Sequence, residues 1–217
     1  MLATLPQPPS IADLLRDLGD ISPSRICLRP APGKATFRDV IRLEATSNRL
    51  FELVDGVLVE KVMGAKESLI ATILARHLGN FVEQDDLGVV LGADGMLRLR
   101  TKLVRIPDVS FIAWDQIPDG EFPDEPIPDL YPDLAIEVLS AGDTPAEMTR
   151  KVGEYFDAGS RLVWVIDPQS KTAEVFTGRD ESQHLKATDS LDGGKVLPGF
   201  RLPLKVVFTT KRRRKGR

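Results

Sequence analysis

An α/β domain, with a mixed β-sheet and helices packed against it, is the fold class that the sequence predicts. Three stretches predict it. In LFELVDGVLVEKV, two runs rich in β-formers flank Asp55-Gly56, a two-residue hairpin signal. Residues 66–84 repeat apolar side chains at helical spacing. Residues 134–167 read strand, helix, strand, and the helix is long enough for a parallel crossover.

The elements follow in order. Residues 1–36 read as an N-terminal arm, with the short helical stretch IADLLRDLG between proline-rich segments. A domain is expected over residues 37–208. It opens with a helix, ATFRDVIRLEA, with Phe37, Val40, Ile41 and Leu43 near one face. After the hairpin, the long helix carries Leu69, Ile70, Ile73, Leu74, His77, Leu78, Phe81 and Val82 as its apolar stripe. GVVLGADGMLRLR and VRIPDVSFIAW read as strands, followed by an acidic, proline-rich loop. The next helix is expected over 145–158. Thr144 is its N-cap, Pro145 its first residue, Glu147 a capping-box acid and Gly159 its C-terminal cap. Met148, Val152, Tyr155 and Phe156 form its buried stripe. RLVWVID and KTAEVFT are further strands, and weaker signals run to LKVVF. Residues 209–217 form a basic tail.

Composition narrows the function classes. The 217 residues are 42% hydrophobic and 28% charged, enough for one sizeable core. One cysteine, Cys27, excludes an internal disulfide and any cysteine-cluster zinc site. Two histidines, His77 and His184, argue against a histidine-built metal site, and His77 reads as a core-edge residue. No stretch reaches the ~20 apolar residues of a membrane span, and no secretory signal is visible. A cytoplasmic protein without membrane contact is the expectation. The net charge is −3, but KRRRKGR holds six of the 29 basic residues. Without it the balance is 23 against 32, so the body is acidic and the tail cationic. Such a tail can contact phosphates or simply be a solvated end.

The chemistry centres on Glu137. It sits within PDLAIEVLS, in an apolar run of strand length. A carboxylate there must be protonated, paired or bound to a metal. In RIPDVSFI, Pro107 belongs at a strand start or edge, so Asp108 lies near the start of a strand. If the two strands are neighbours, both carboxylates point into one cleft. A divalent cation relieves their repulsion, and hard oxygen ligands suit Mg2+ or Mn2+. Lys151 flanks the buried stripe of the helix after Glu137, where it could orient water or stabilise charge on a phosphate. The plain alternative is a Glu147–Lys151 surface pair contributing ~0.3–0.5 kcal/mol. Glu67 opens the long helix on the side of its apolar stripe. It is either a site residue or a first-turn acid complementing the helix dipole. Glu52, on the first hairpin strand, is either a site residue or solvent-facing. No nucleophile motif or phosphate-binding glycine loop is present.

These residues resemble the PD-(D/E)XK nuclease superfamily, and more closely the Uma-type endonucleases. The matching segments are LFELVDGVLVEKV, RIPDVSFI, PDLAIEVLS, TRKVGEYFDAG and RLVWVIDP, in the expected order over most of residues 50–168. The resemblance implies a restriction-endonuclease-like core and metal-dependent cleavage of DNA phosphodiester bonds. It places the family's aspartate on Asp108 and its strand acid on Glu137, the two implied ligands of Mg2+ or Mn2+. The superfamily lysine usually stands two after the acid, where this chain has Leu139; its counterpart here is Lys151 on the following helix. Glu52 matches the acid of the family's first hairpin, and Tyr155 lies beside the implied site. Where many relatives have histidine near the start of the long helix, this chain has Glu67, the implied extra ligand of a second metal. The fold class also accommodates a homodimer.

Two other readings stand beside the enzyme. One is a noncatalytic nucleic-acid or protein-binding module on a nuclease fold. The other is a structural dimer in which Glu137 pairs with an arginine.

Overall fold

The computed structural model describes residues 10–47 and 49–209, so nearly all of the basic tail and the first nine residues of the arm lie outside the described residues. The described chain begins with α1 (Ile11–Asp17), followed by β1 (Ile26–Cys27) and α2 (Phe37–Thr46). Next come the hairpin strands β2 (Leu50–Val54) and β3 (Val57–Lys61), the long helix α3 (Ala65–Gln84) and β4 (Gly88–Leu91). Then follow β5 (Leu97–Arg100), β6 (Leu103–Arg105), β7 (Val109–Ala113) and β8 (Leu134–Val138). The crossover helix α4 (Pro145–Ala158) leads to β9 (Leu162–Asp167), β10 (Thr172–Gly178) and β11 (Glu181–Leu185). The described elements close with β12 (Ser190–Asp192), β13 (Arg201–Pro203) and α5 (Leu204–Val207).

The mixed sheet has six strands in the order β11-β10-β9-β8-β7-β4, and β8–β9 is its parallel pair. The hairpin does not join it. It belongs to a second, five-stranded antiparallel sheet, β1-β3-β2-β6-β5. Two stretches that read as continuous strands in the sequence each cross between the sheets. GVVL is β4 of the mixed sheet and LRLR is β5 of the other; LVR is β6 and VSFIA is β7. Pro107 lies at the second crossing, where its missing N–H cannot continue a ladder.

Local chemistry accounts for the main boundaries. Asp55 and Gly56 have φ of 49° and 80°, the positive pair that a tight hairpin turn needs. At α4 the Thr144 hydroxyl accepts from the Glu147 N–H at 3.0 Å. Gly159 closes the helix at φ 119°, and a Cβ there would stand 2.7 Å from the Tyr131 ring. The expected capping-box return by the Glu147 side chain does not occur. Arg25 holds that carboxylate through two bonds, 2.8 and 2.9 Å, and so ties the arm to α4.

Both faces of the mixed sheet are covered. Val109, Phe111, Leu134, Ile136 and Trp164 pack with Ile70, Leu74 and Leu78 of α3 and with the C-terminal segment around Leu197, Phe200 and Leu204. Ala135, Val163 and Val165 pack on the other face with Met148, Val152 and Tyr155 of α4. Leu69 is not part of the α3 stripe; it is 45% exposed. The second sheet is also covered on both faces, by Val40 of α2 on one side and by Leu18 and Ile21 of the arm on the other. Among the described residues, no helix is long and apolar enough to cross a membrane.

Candidate active site

The chain passes from one sheet to the other at Arg105–Asp108, and the site is built around this crossing. On the first-sheet side, Glu52 and Val59 are register partners in β2 and β3, so Glu52, Val59 and Lys61 share a face. On the mixed-sheet side, β7 and β8 pair Val109 with Ile136, which sets Asp108 beside Glu137 on one face. The Asp108 N–H donates to the Ile136 carbonyl at 3.0 Å, extending that ladder by one residue. Ile106, in the middle of the crossing, donates its N–H to Glu52 at 3.1 Å and accepts from the Lys61 ammonium. Short backbone spacing thus brings residues of two sheets to one place.

Helix α4 covers this place. The Lys151 ammonium lies 3.2 Å from one Glu137 oxygen, and the Tyr155 hydroxyl donates to the other at 2.5 Å. Lys151 also lies 3.9 Å from Glu52. The Glu147–Lys151 surface pair is therefore absent, and Lys151 is 4% exposed. Glu137 is paired with a lysine and a tyrosine, which removes the reading in which it serves an arginine. Burial raises the Glu137 pKa, and the nearby charges of Asp108 and Glu52 add to this, while Lys151 and Lys61 oppose it. Burial pulls Lys151 down, but the Glu137 and Glu52 charges outweigh it and leave its pKa above the ordinary lysine value. Lys151 is thus a protonated donor and not a base. Burial likewise holds the Tyr155 hydroxyl in its neutral, donating form.

Glu52 does not face solvent; it is wholly buried. Alternation along β2 places it opposite Phe51 and Leu53, but the arm and α4 cover that second face too. Arg105 reaches Glu52 at 2.6 Å and Glu154 at 2.8 Å, and Arg150 completes Glu154 at 2.8 Å. Burial pushes Glu52 up, yet the charges of Lys151, Arg105 and Lys61, with the Ile106 N–H, bring its pKa from 4.5 down to about 2. A depressed acid stabilises the fold above its unfolded value and loses that contribution as pH falls through its folded value. The stability advantage of the wild type over Glu52→Gln is therefore expected to shrink between pH 4.5 and about 2. Urea melts across this range measure it, and an advantage independent of pH would contradict the assignment.

Two members of the site escape sequence reasoning. Lys61 pairs with Asp108 at 2.8 Å, its side chain only 7% exposed. A lysine ending a strand ordinarily extends into water, but its alternation with Val57 and Val59 already pointed inward. Arg105 carries the same signal as Glu137, a charge inside an apolar run. Arg25, Lys61, Glu67, Asp108, Glu137 and Lys151 all line one narrow, partly open cleft, in which the centre of a water-sized sphere has about 20 Å3 to move. Glu67 curls over the helix start into the space that a side chain at Gly64 would fill. It borders the cleft without joining a carboxylate cluster. Among the described residues, no three His, Cys, Asp or Glu side chains are grouped to hold a metal.

The donor set nevertheless fits Mg2+ or Mn2+. It offers two hard carboxylates side by side in one cleft, and Mg2+ keeps several of its waters and needs only one or two protein carboxylates. Asp108 and Glu137 are the residues that would hold it.

Comparison with known proteins agrees with the architecture. No curated protein matches the chain. The crystal structure of a putative nuclease belonging to DUF820 from Anabaena variabilis is similar, with a TM-score of 0.67 and 21% identity. The match covers 75% of this chain and 91% of that one, and at this identity it establishes a shared fold. A family model described as Uma2, putative restriction endonuclease, matches residues 37–205, from α2 through the hairpin, the crossing and α4 to α5. With the match running through the hairpin, the crossing, β8 and α4, the chain belongs to the Uma2 family of putative restriction endonucleases.

Proposed function

We propose that the chain is a metal-dependent endonuclease that hydrolyses DNA phosphodiester bonds at this cleft. One observation carries the reading. Two carboxylates set side by side by the β7–β8 pairing, Asp108 and Glu137, and a protonated lysine from the crossover helix face one narrow cleft. Paired acids next to a fixed cation suit phosphoryl transfer, where charge develops on the phosphoryl oxygens and leaving oxygen. The chemistry supplied by Mg2+ or Mn2+ when bound is a lowered water pKa and a polarised phosphoryl oxygen.

The side chains divide the remaining work. Asp108 and Glu137 supply the anionic oxygens. Tyr155 orients Glu137 by donating to one oxygen and leaves the other toward Lys151. Lys151, kept protonated, donates to the attacking oxygen or to the phosphoryl group. Glu52 and Arg105 set the position of Lys151 from beneath, and neither lines the cleft.

Plasmid nicking tests the reading. Purified protein with millimolar Mg2+ or Mn2+ is expected to convert supercoiled DNA to nicked and linear forms. Chelation with EDTA is expected to return the rate to background, and so is Asp108→Ala. Cleavage that persists in EDTA would remove the metal from the account. DNA binding without cleavage, unchanged in Asp108→Ala, would instead make the chain a binding module on a nuclease fold.

A further inference from the structure

We infer that Lys61 is the protein's internal counter-ion for the cation position: it holds Asp108 until a divalent ion displaces it, and its charge sets the ion concentration that the site requires. The inference rests on the reading that Asp108 and Glu137 hold a cation. Both Asp108 oxygens are occupied by the protein itself. One accepts from the Val138 backbone N–H at 2.7 Å, and the other faces the Lys61 ammonium at 2.8 Å. The first partner belongs to β8 and is fixed by its ladder with β9. The second sits on a flexible four-carbon stem and has an alternative acceptor, the Ile106 carbonyl. Lys61 is therefore the partner that can yield.

Charge requires it to yield. The ammonium stands 2.8 Å from the Asp108 oxygen that a dication would take. Of the other cations around the site, Lys151 stays at the second ligand and the two arginines are paired away from both ligands. Arg25 is held by Glu147, Lys151 by Glu137 and Glu52, and Arg105 by Glu52 and Glu154. Among the described residues, Asp108 is the one carboxylate that pairs with Lys61. Glu52, Asp108 and Glu137 already face Lys61, Arg105 and Lys151 in equal number. An incoming dication thus meets an ammonium at its own ligand, and like charges at this range repel even with strong screening.

The test is a Mn2+ titration of the full chain, read by the shift in melting temperature and by loss of the free Mn2+ paramagnetic resonance signal. Neither readout requires turnover. Lys61→Met is expected to lower the half-saturating Mn2+ concentration by at least about tenfold. Lys61→Gln keeps a neutral donor toward Asp108, folds without the buried charge, and is expected to shift in the same direction. A midpoint in Lys61→Gln equal to or above that of the wild type overturns the inference. If the wild type binds Mn2+ and Asp108→Asn does not, that result leaves the proposed metal site standing while Lys61 loses its role. Absence of binding in wild type and Lys61→Gln alike overturns both.

Discussion

Glu137→Gln is expected to lower the cleavage rate by at least about a thousandfold while leaving the fold intact, because it removes one of two anionic ligands and the main partner of Lys151. The amide has nearly the shape of the carboxylate and still accepts from Tyr155, so packing around α4 changes little. What changes is charge. Lys151 would be left with Glu52 at 3.9 Å as its carboxylate partner, and the cleft with Asp108 as its one carboxylate ligand. Burial disfavours the ionised Glu137, but neutralising it leaves the buried Lys151 charge without its near partner, so some loss of stability is expected as well. Loss of activity in a variant that still folds but melts below the wild type is the expected pair of results, read by plasmid nicking and circular dichroism. Retention of activity within about tenfold would sink the assignment of Glu137 as a ligand.

The largest effect on stability is expected from Arg105→Met. This arginine is 2% exposed and bridges Glu52 and Glu154, themselves buried. Replacing it leaves Glu52 with the Ile106 N–H and a distant Lys151, and Glu154 with Arg150 alone. Removing one partner of a buried ion pair costs about 3–5 kcal/mol, because the other charge stays buried. For a chain of this size that is a fall of roughly 10 °C in melting temperature. The double variant Arg105→Met with Glu52→Gln should recover part of the loss, since the unpaired acid is then neutral. Arg105→Lys should rescue only partially, because an ammonium cannot serve two carboxylates in the fixed geometry of a guanidinium. A loss below about 1 kcal/mol in Arg105→Met would mean that the network contributes little.

Comparison of particular residues shows where sequence reasoning reached and where it stopped. Thr144, Pro145 and Gly159 mark the ends of α4 as expected, because capping is decided within one turn of chain. Asp108 and Glu137 come together because Pro107 ends one strand and alternation then assigns their faces. Glu147 departs from its expected cap because Arg25, 122 residues away in sequence, supplies two charged bonds. Leu69 fits the helical period yet lies at the edge of the stripe, since nothing packs over that part of α3.

By itself the sequence determined the short-range facts: the Asp55-Gly56 turn, the caps of α4, the strand carrying Glu137 and the start of the strand after Asp108. Each depends on dihedral preference or on side-chain period within a few residues. Only the tertiary structure decided that the hairpin and the strand of Glu137 lie in different sheets, that Glu52 is buried, and that Lys61 and Arg105 supply the counter-charges of the site. Alternation states which side chains share a face. What covers that face depends on the arm and α4, and the sign and distance of the charges they bring decide which side chains are paired.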